Sequence, residues 1–348
     1  MMEAAKVLQG NALDLIREMG TESVRCCVTS PPYWGLRDYG HPGQLGLERT
    51  PEEYVSNLVE VMREVRRVLA DDGALWLNLG DRYTGQINGP GSAKQASNAG
   101  RGAEAAGARR RRTASPGAKR SLHSVSALGF LKKAQWLKPK DLVGIPWRVA
   151  FALQADGWYL RSDIIWHKPN PMPESVADRP TKAHEYLFLL AKSQRYYYDA
   201  AAVAEPTDGR TWHDVTGPPR LDVPGQSKQD GHGRRHAGFN SRYFSAPPPT
   251  TRNRRSVWTI ATQPFSGAHF AVMPEALVEP CILAGSKPGD LVLDPFAGSG
   301  TVGVVALRHG RSFVGCEINP EYAAMSRLRI AGPLFSASGA MGGSVDME

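Results

Sequence analysis

A chain of 348 residues, of which 41% are hydrophobic, can bury the core of one large domain or of two modest ones. Its formal net charge of +8 points toward a polyanionic partner, although a soluble protein that is simply basic would carry the same charge. The first residues lack an apolar signal core and no segment is long enough to span a membrane, so we expect a cytoplasmic protein.

The first predicted folded block runs from residue 6 to about residue 83. The apolar run "SVRCCVTS" predicts a buried strand, and "TPEEYVSNLVEVMREVRRVLADDG" predicts an amphipathic helix that Thr50 caps and Gly73 ends. "ALWLNLGD" then predicts a second buried strand, which completes the order of a parallel βαβ unit. The first strand leads into Ser30-Pro31-Pro32-Tyr33, where two prolines without an N–H make a stiff turn. A rigid backbone beside aromatic rings indicates a pocket for a flat group.

Two stretches differ in composition from the blocks around them. Residues 84–135 are rich in Gly, Ala, Ser and Arg, which predicts a flexible basic insertion that either contacts phosphates or is a plain linker. Residues 205–255 combine basic and aromatic residues, which suits contact with nucleic acid as well as a surface loop.

The remaining chain predicts a second folded block at about 136–202 and a third at about 256–330. The second contains a helix that ends at Gly157, followed by strands in "WYLRSDIIWHKPN" and "AHEYLFLLAKS". Lys168, after the first of these strands, is a candidate phosphate contact, and Glu185 is interpreted as structural. The tail 331–348 is rich in Gly and Ser and is predicted to be disordered.

The third block holds a glycine-rich turn, "DPFAGSGTVG", between the apolar strand "LVLD" and a helix. The spacing from Gly298 to Gly303 matches a dinucleotide fingerprint, which would indicate NAD. Asp294, just before the turn, would repel a pyrophosphate but suits the cationic methionine part of S-adenosylmethionine, which we therefore favour. Glu317, at the end of the next predicted strand, can accept both ribose hydroxyl hydrogens.

Five stretches in one order along the chain resemble the amino-group DNA methyltransferases, which modify N4 of cytosine or N6 of adenine. They are "SPPYWGLRDYG", "LWLNLGD", "IIWHKPNPMPES", "TKAHEYLFLLAKS" and "VLDPFAGSGTVG". Because the Ser-Pro-Pro-Tyr turn precedes the glycine turn, the order resembles that of the permuted β group. The resemblance implies an α/β fold with a doubly wound, mostly parallel, Rossmann-like sheet and an inserted target-recognition region.

The same resemblance divides the chain by role. It assigns residues 1–204 to the catalytic part, with the insertion at 84–135, residues 205–255 to target recognition, and residues 256–330 to cofactor binding. It implies double-stranded DNA as substrate and a monomer or homodimer, and it makes a cognate restriction endonuclease a candidate partner.

The resemblance also implies two sets of site residues. The catalytic set is Ser30, Pro31, Pro32 and Tyr33. The set that holds S-adenosyl-L-methionine is Asn11, Asp294, Phe296, Gly298, Ser299, Gly300, Thr301 and Glu317. Asn11 stands where the family often has an acid that contacts the adenine amine.

In the implied reaction, the base leaves the duplex and its exocyclic amine donates to Ser30 Oγ and the Pro31 carbonyl. Tyr33, and with it Trp34, would stack on the base. Serine rather than aspartate at the head of the turn favours cytosine N4 over adenine N6 as the target.

Two other interpretations stay open at this point. Pro280-Cys281 has the residues of a cytosine-C5 nucleophile but falls within a helix pattern, and we interpret it and the other cysteines, Cys26, Cys27 and Cys316, as structural reduced thiols. No histidine spacing predicts a metal site. A DNA-binding protein that keeps the fold without catalysis is the alternative from another functional class.

Overall fold

The computed structural model describes residues 4–84, 136–207, 250–263 and 272–338. The strands are β1 Ala5–Gln9, β2 Val24–Thr29, β3 Leu69–Leu79, β4 Tyr159–His167, β5 His184–Ala191, β6 Glu205–Pro206, β7 Thr251–Arg252, β8 Val257–Thr259, β9 Leu291–Asp294 and β10 Ser312–Glu317. The helices are α1 Ala12–Arg17, α2 Pro51–Val68, α3 Ile145–Ala155, α4 Glu275–Gly285, α5 Thr301–Arg308 and α6 Pro320–Ser338.

Eight of these strands form one mixed sheet in the order β1-β10-β9-β2-β3-β5-β4-β8. The strands from β1 to β3 are parallel, and β5 runs antiparallel to both of its neighbours, β3 and β4. The chain therefore builds a parallel half that carries the glycine turn and the Ser-Pro-Pro-Tyr turn, joined to a partly antiparallel half.

Helices cover both faces of the sheet, because alternate residues of each buried strand point to opposite sides. Leu75 and Leu77 of β3 pack in one core cluster with α2 and α3, whereas Trp76 packs in a second cluster with α4 and α5. The doubly wound α/β fold expected from the sequence is confirmed. Among the helices of the described ranges, none is long and apolar enough to cross a membrane.

The long helix begins as expected and ends earlier. Thr50 Oγ1 accepts a hydrogen bond from the Glu53 N–H at 3.1 Å, which confirms the predicted N-cap. The helix ends at Val68, and Leu69 already pairs with Val24 in the sheet. The prediction that it ends at Gly73 was wrong, because strand pairing takes over residues whose apolar spacing also fits a helix.

The C-terminal tail requires a second correction. The helix α6 continues to Ser338, although disorder was predicted from residue 331 onward. Residues 339–348 lie outside the described ranges.

Each of the two compositionally unusual stretches is flanked by segments that pair with each other. Thr84 N donates to the Asp141 carbonyl at 2.8 Å, next to a bridge between Tyr83 and Leu142, so the two ends of the first stretch meet. Around the second stretch, β6 pairs with β7, and Glu205 binds Arg252 at 2.8 Å. Residues 85–135 and 208–249 lie outside the described ranges, so the roles assigned to them stay predictions.

Candidate active site

A cavity of about 550 Å³ opens at the carboxyl ends of β1, β10, β9 and β2. It lies where the strand order reverses between β9 and β2, the usual ligand position in an open α/β sheet. The cavity brings together nearly all residues singled out in the sequence: Asn11, Ser30, Pro31, Pro32, Tyr33, Asp294, Phe296, Gly298, Ser299, Thr301 and Glu317. The stiff turn and the glycine turn therefore face one space.

Asp294 ties the two turns together at the centre of the cavity. Its Oδ1 accepts hydrogen bonds from Thr29 Oγ1 at 2.6 Å and from the Phe296 N–H at 3.0 Å. The side chain is buried, and burial raises its pKa from 3.8 to about 7. A cationic group placed beside this carboxylate would restore its charged form.

Glu317 organises the other side of the cavity from the end of β10. Its two carboxylate oxygens accept from the Gly298 N–H at 2.9 Å and from the Asn319 N–H at 2.8 Å. Burial raises the pKa of Glu317, while these two hydrogen bonds lower it. Because each carboxylate oxygen has a further lone pair, Glu317 can still accept hydrogen bonds from a ligand.

The glycine turn requires glycine for backbone and steric reasons. Gly298 and Gly300 have φ values of +50° and +79°, in the left-handed region. A Cβ at Gly300 would stand 3.2 Å from Ile330 Cδ1 and closer still to Ser326 Oγ. Gly300 is the N-cap of α5 and packs against α6, behind the cavity wall.

The hydroxyl groups of Ser299 and Thr301, beside this turn, accept hydrogen bonds from Arg329 on α6. Its guanidinium donates to Ser299 Oγ at 3.1 Å and to Thr301 Oγ1 at 2.9 Å, and it also binds Glu275 at 3.0 Å. Sequence reasoning missed Arg329, because it lies on α6 without a motif of its own. Its contacts give Ser299 and Thr301 a role in fixing the turn.

Asn11 acts first as a helix cap. Its Oδ1 accepts from the Leu13 N–H at 2.9 Å, at the start of α1, and its Nδ2 lies 3.4 Å from the Gly43 carbonyl. The residue also lines the cavity, so the amide remains next to the ligand space.

At the opposite end of the cavity, the Tyr33 side chain is anchored by its hydroxyl group. This group lies 2.8 Å from Glu185 Oε2, 3.1 Å from Asn78 Oδ1 and 3.3 Å from Ser30 Oγ. Glu185 is ion-paired with Lys168, and both side chains line the cavity, so the contact of Lys168 with phosphate stays a prediction. Burial and the neighbouring Glu185 charge raise the pKa of Tyr33 well above its usual value.

Gly80 makes room for the Tyr33 ring. A Cβ at Gly80 would stand 2.9 Å from Cδ2 and 3.2 Å from Cζ of Tyr33, and closer still to Cε2. The sequence signal was present, because Gly80 belongs to the "LWLNLGD" stretch, but only the packing shows its purpose.

Comparison with known proteins identifies the family of the chain. A family model described as DNA methylase, of the N6 and N4 type, matches residues 24–327 of the chain. The chain belongs to this DNA methylase family. The resemblance noted in the sequence is confirmed, and S-adenosyl-L-methionine is the cofactor.

Named relatives of this DNA methylase match along nearly the whole chain. The type II methyltransferase M.Cfr9I of Citrobacter freundii is 46% identical over 331 residues, which cover 95% of this chain and 89% of the relative. The type II methyltransferase M.SmaI of Serratia marcescens is 43% identical over 330 residues, which cover 94% and 91%.

Solved structures show the same fold. The cytosine-N4-specific PvuII DNA methyltransferase superposes with a TM-score of 0.56 at 18% identity and covers 98% of this chain and 88% of that chain. A DNA modification methylase of Thermus thermophilus, complexed with S-adenosyl-L-methionine, superposes with a TM-score of 0.53 at 24% identity and covers 94% and 93%.

The cavity of this methylase fits its cofactor. A volume of about 550 Å³ is in the range of small-molecule sites, and the buried carboxylates Asp294 and Glu317 suit a cationic ligand with ribose hydroxyls. The part of the chain that the structure describes contains no cluster of three metal-ligating side chains.

Two expectations about individual residues change in the structure. Trp34 is 3% exposed, packs in the core beneath the sheet and donates to the Glu48 carbonyl at 3.0 Å, so the idea that it stacks on a base was wrong. All four cysteines are buried free thiols, and burial raises the pKa of Cys281 well above its usual value. Cys281 is fully buried in α4 and is not among the residues that line the cavity, so it is not placed to act as a cytosine-C5 catalyst.

Proposed function

We propose that this DNA methylase transfers a methyl group to the exocyclic N4 amine of cytosine at a specific site in double-stranded DNA, after the base has left the duplex. The observation that carries this proposal is the shared cavity, in which the Ser-Pro-Pro-Tyr turn faces the glycine turn and its two carboxylates. S-adenosyl-L-methionine supplies an electrophilic methyl group there.

The turn offers the acceptors that an amine needs. Ser30 and Pro31 line the cavity, and in the described part of the chain no backbone group donates to the Pro31 carbonyl. Two hydrogen bonds from the amine to these oxygens would leave the nitrogen lone pair directed at the methyl group. As the nitrogen–methyl bond forms, the methyl–sulfur bond would break with its electron pair left on the sulfur, and the proton that the nitrogen loses would pass to solvent through one of these hydrogen bonds. Positioning and electrostatics therefore supply the rate, without a basic side chain on the amine.

The cofactor-binding roles follow from the same geometry. We assign Asp294 to the cationic methionine part, Glu317 to the ribose hydroxyls, and Phe296 to contact with the adenosine. Gly298 and Gly300 shape the turn, Ser299 and Thr301 stabilise it through Arg329, and Asn11 lies at the edge of the cavity.

Cytosine is favoured over adenine by the residue at the head of the turn. Serine is a weaker acceptor than aspartate, and the similarly folded PvuII enzyme is described as cytosine-N4-specific. Adenine N6 remains the alternative target, since the same two acceptors suit either amine.

The rim of the cavity supports extrusion of the base. Met172, between Pro171 and Pro173, is 84% exposed and lines the cavity mouth together with Leu36, which is 50% exposed. An apolar side chain on a stiff loop can fill the space that an extruded base leaves in the stack. The basic segments 84–135 and 205–255 would hold the flanking DNA, the second of them reading its sequence.

The type II relatives support action at a defined DNA site in the cytoplasm. A cognate restriction endonuclease is the candidate partner.

Nucleoside analysis of DNA methylated by the wild-type protein, Ser30→Ala and Tyr33→Ala tests the proposal. We expect N4-methylcytosine with the wild type and little with either variant. N6-methyladenine would establish the alternative target, and DNA binding without methylation would establish the non-catalytic alternative.

A further inference from the structure

The hydroxyl group of Tyr33 has three polar neighbours, and the hydrogen-bonding roles of two of them are fixed by their own partners. Glu185 Oε2, at 2.8 Å, belongs to a carboxylate ion-paired with Lys168 and can only accept. Asn78 Oδ1, at 3.1 Å, also accepts, because Asn78 Nδ2 donates to the Tyr186 carbonyl at 3.1 Å and so fixes the amide orientation. The third neighbour is Ser30 Oγ, at 3.3 Å.

This arrangement fixes the direction of the hydrogen bond between the two hydroxyl groups. Tyr33 has one proton and two neighbours, Glu185 Oε2 and Asn78 Oδ1, that can only accept, so its proton points toward Glu185 or Asn78. The lone pairs of the Tyr33 oxygen then face Ser30, which donates its own proton to Tyr33. The lone pairs of Ser30 are consequently left for the cavity.

The direction matters because a serine hydroxyl can donate as well as accept. A Ser30 proton aimed at the target amine would bind the nitrogen lone pair that has to attack the methyl group. An aspartate at the head of the turn could not make this error, since an ionised carboxylate has no proton to donate.

We propose that Glu185 is a positioning residue for methyl transfer, which acts through Tyr33 to keep Ser30 a hydrogen-bond acceptor toward the target amine. The inference rests on the proposed function and gives Glu185 a role beyond the structural one expected from its sequence context. The ion pair is well placed to hold this orientation, because the side chains of Lys168 and Glu185 are only 17% and 18% exposed. Lys168 Nζ also lies 4.2 Å from the Trp166 ring, which helps to fix its position.

The variant Glu185→Gln tests the direction of the hydrogen bonds from Ser30 through Tyr33 to residue 185, because glutamine has nearly the same shape as glutamate. In the wild type, Lys168 contacts Oε1 and Tyr33 contacts Oε2. In the variant, the lysine ammonium would donate to the amide oxygen, so the amide NH₂ would face Tyr33 and donate to its hydroxyl oxygen. The Tyr33 proton would then be free to point toward Ser30, which reverses the hydrogen bond between the two hydroxyl groups. We expect kcat to fall on the order of 10²-fold, with the KM for DNA and the KM for the cofactor close to wild type, and a lower melting temperature because Lys168 loses its counter-charge.

A double-mutant cycle separates action through Tyr33 from a general effect. Tyr33→Phe keeps the ring and removes the hydroxyl group, and it should lower kcat by a similar factor. Adding Glu185→Gln to Tyr33→Phe should then cost nothing further. Glu174→Gln is the matched control, because Glu174 pairs with Arg179 at 2.7 Å outside the cavity, and it should keep wild-type kcat.

The outcomes are distinct. A wild-type kcat for Glu185→Gln, or an equal loss in the Tyr33→Phe background, would overturn the inference while leaving the proposed function intact. If Glu185→Gln unfolds, Tyr33→Phe alone decides, since a wild-type kcat there removes the hydroxyl chain from the mechanism. Absence of methyl transfer by the wild-type protein would instead overturn the proposed function.

Discussion

Replacing Gly80 by alanine tests whether the position of the Tyr33 ring matters for methyl transfer. The added Cβ would stand 2.9 Å from Tyr33 Cδ2 and closer to Cε2, whereas non-bonded carbon atoms prefer about 3.5–4.0 Å. Three hydrogen-bonding partners hold the hydroxyl end of the ring, so the ring cannot simply swing away. Either the ring or the backbone of β3 has to move by roughly 1 Å.

Each of these movements has a measurable cost. A ring displaced by roughly 1 Å should lower kcat by about 10²-fold, and a displaced backbone should lower the free energy of unfolding by about 1–3 kcal/mol. Radiolabelled methyl incorporation into duplex DNA measures the first, and denaturant titration measures the second. Gly20→Ala is the control, because its Cβ would lie 3.9 Å from the nearest side-chain atom and its backbone is not left-handed. Wild-type activity together with wild-type stability in Gly80→Ala would refute the packing argument.

Three further predictions concern the cavity. Because burial raises the pKa of Asp294 from 3.8 to about 7, the folded cofactor-free chain should lose stability as the pH rises between these values, and Asp294→Asn should flatten that dependence in denaturant titrations. Glu317→Ala should weaken cofactor binding by roughly 10²-fold in calorimetry with DNA affinity unchanged, and normal cofactor affinity would reject the ribose assignment. Met172→Ala should slow methylation of a matched duplex more than of a substrate with a mismatched target base, whereas Val176→Ala, also exposed but away from the cavity, should affect neither. An equal loss on both substrates would contradict a role for Met172 in base extrusion.

The parallel half of the sheet could be predicted from the sequence because its strands are buried on both faces. Such strands are short apolar runs, and in β2 and β9 each run ends in a conspicuous turn. Since parallel strands place their carboxyl ends at one edge, the two turns had to be near each other once both strands were assigned to one sheet. In the sequence analysis the two turns were brought together by the family resemblance, and the sheet topology gives the physical reason for their proximity.

The end of α2 could not be predicted, because local spacing and tertiary pairing disagree there. Val65, Val68 and Leu69 keep helical spacing, yet Leu69 is needed opposite Val24 in the sheet. Gly73 resembles a helix stop, but it lies in β3, where the absence of a side chain lets the strand approach β2, since a Cβ there would lie 3.0 Å from the Arg25 carbonyl. Pairing with a strand that lies far away in the sequence decided the boundary.

The hydrogen bonds of the Tyr33 hydroxyl group could not be predicted from the sequence either, because they depend on the register of three strands. The pairing of Leu79 with Tyr186 places Gly80 and Glu185 at the same end of β3 and β5, and the pairing of Trp166 with Glu185 brings Lys168 to that end as well. A slip of one residue would turn Glu185 to the other face of the sheet. The carboxylate that binds the Tyr33 hydroxyl is 152 residues away along the chain, so no local motif around the Ser-Pro-Pro-Tyr turn could reveal it. Strand register thus places a negative charge two hydrogen bonds away from Ser30, through Tyr33, where the serine itself has none.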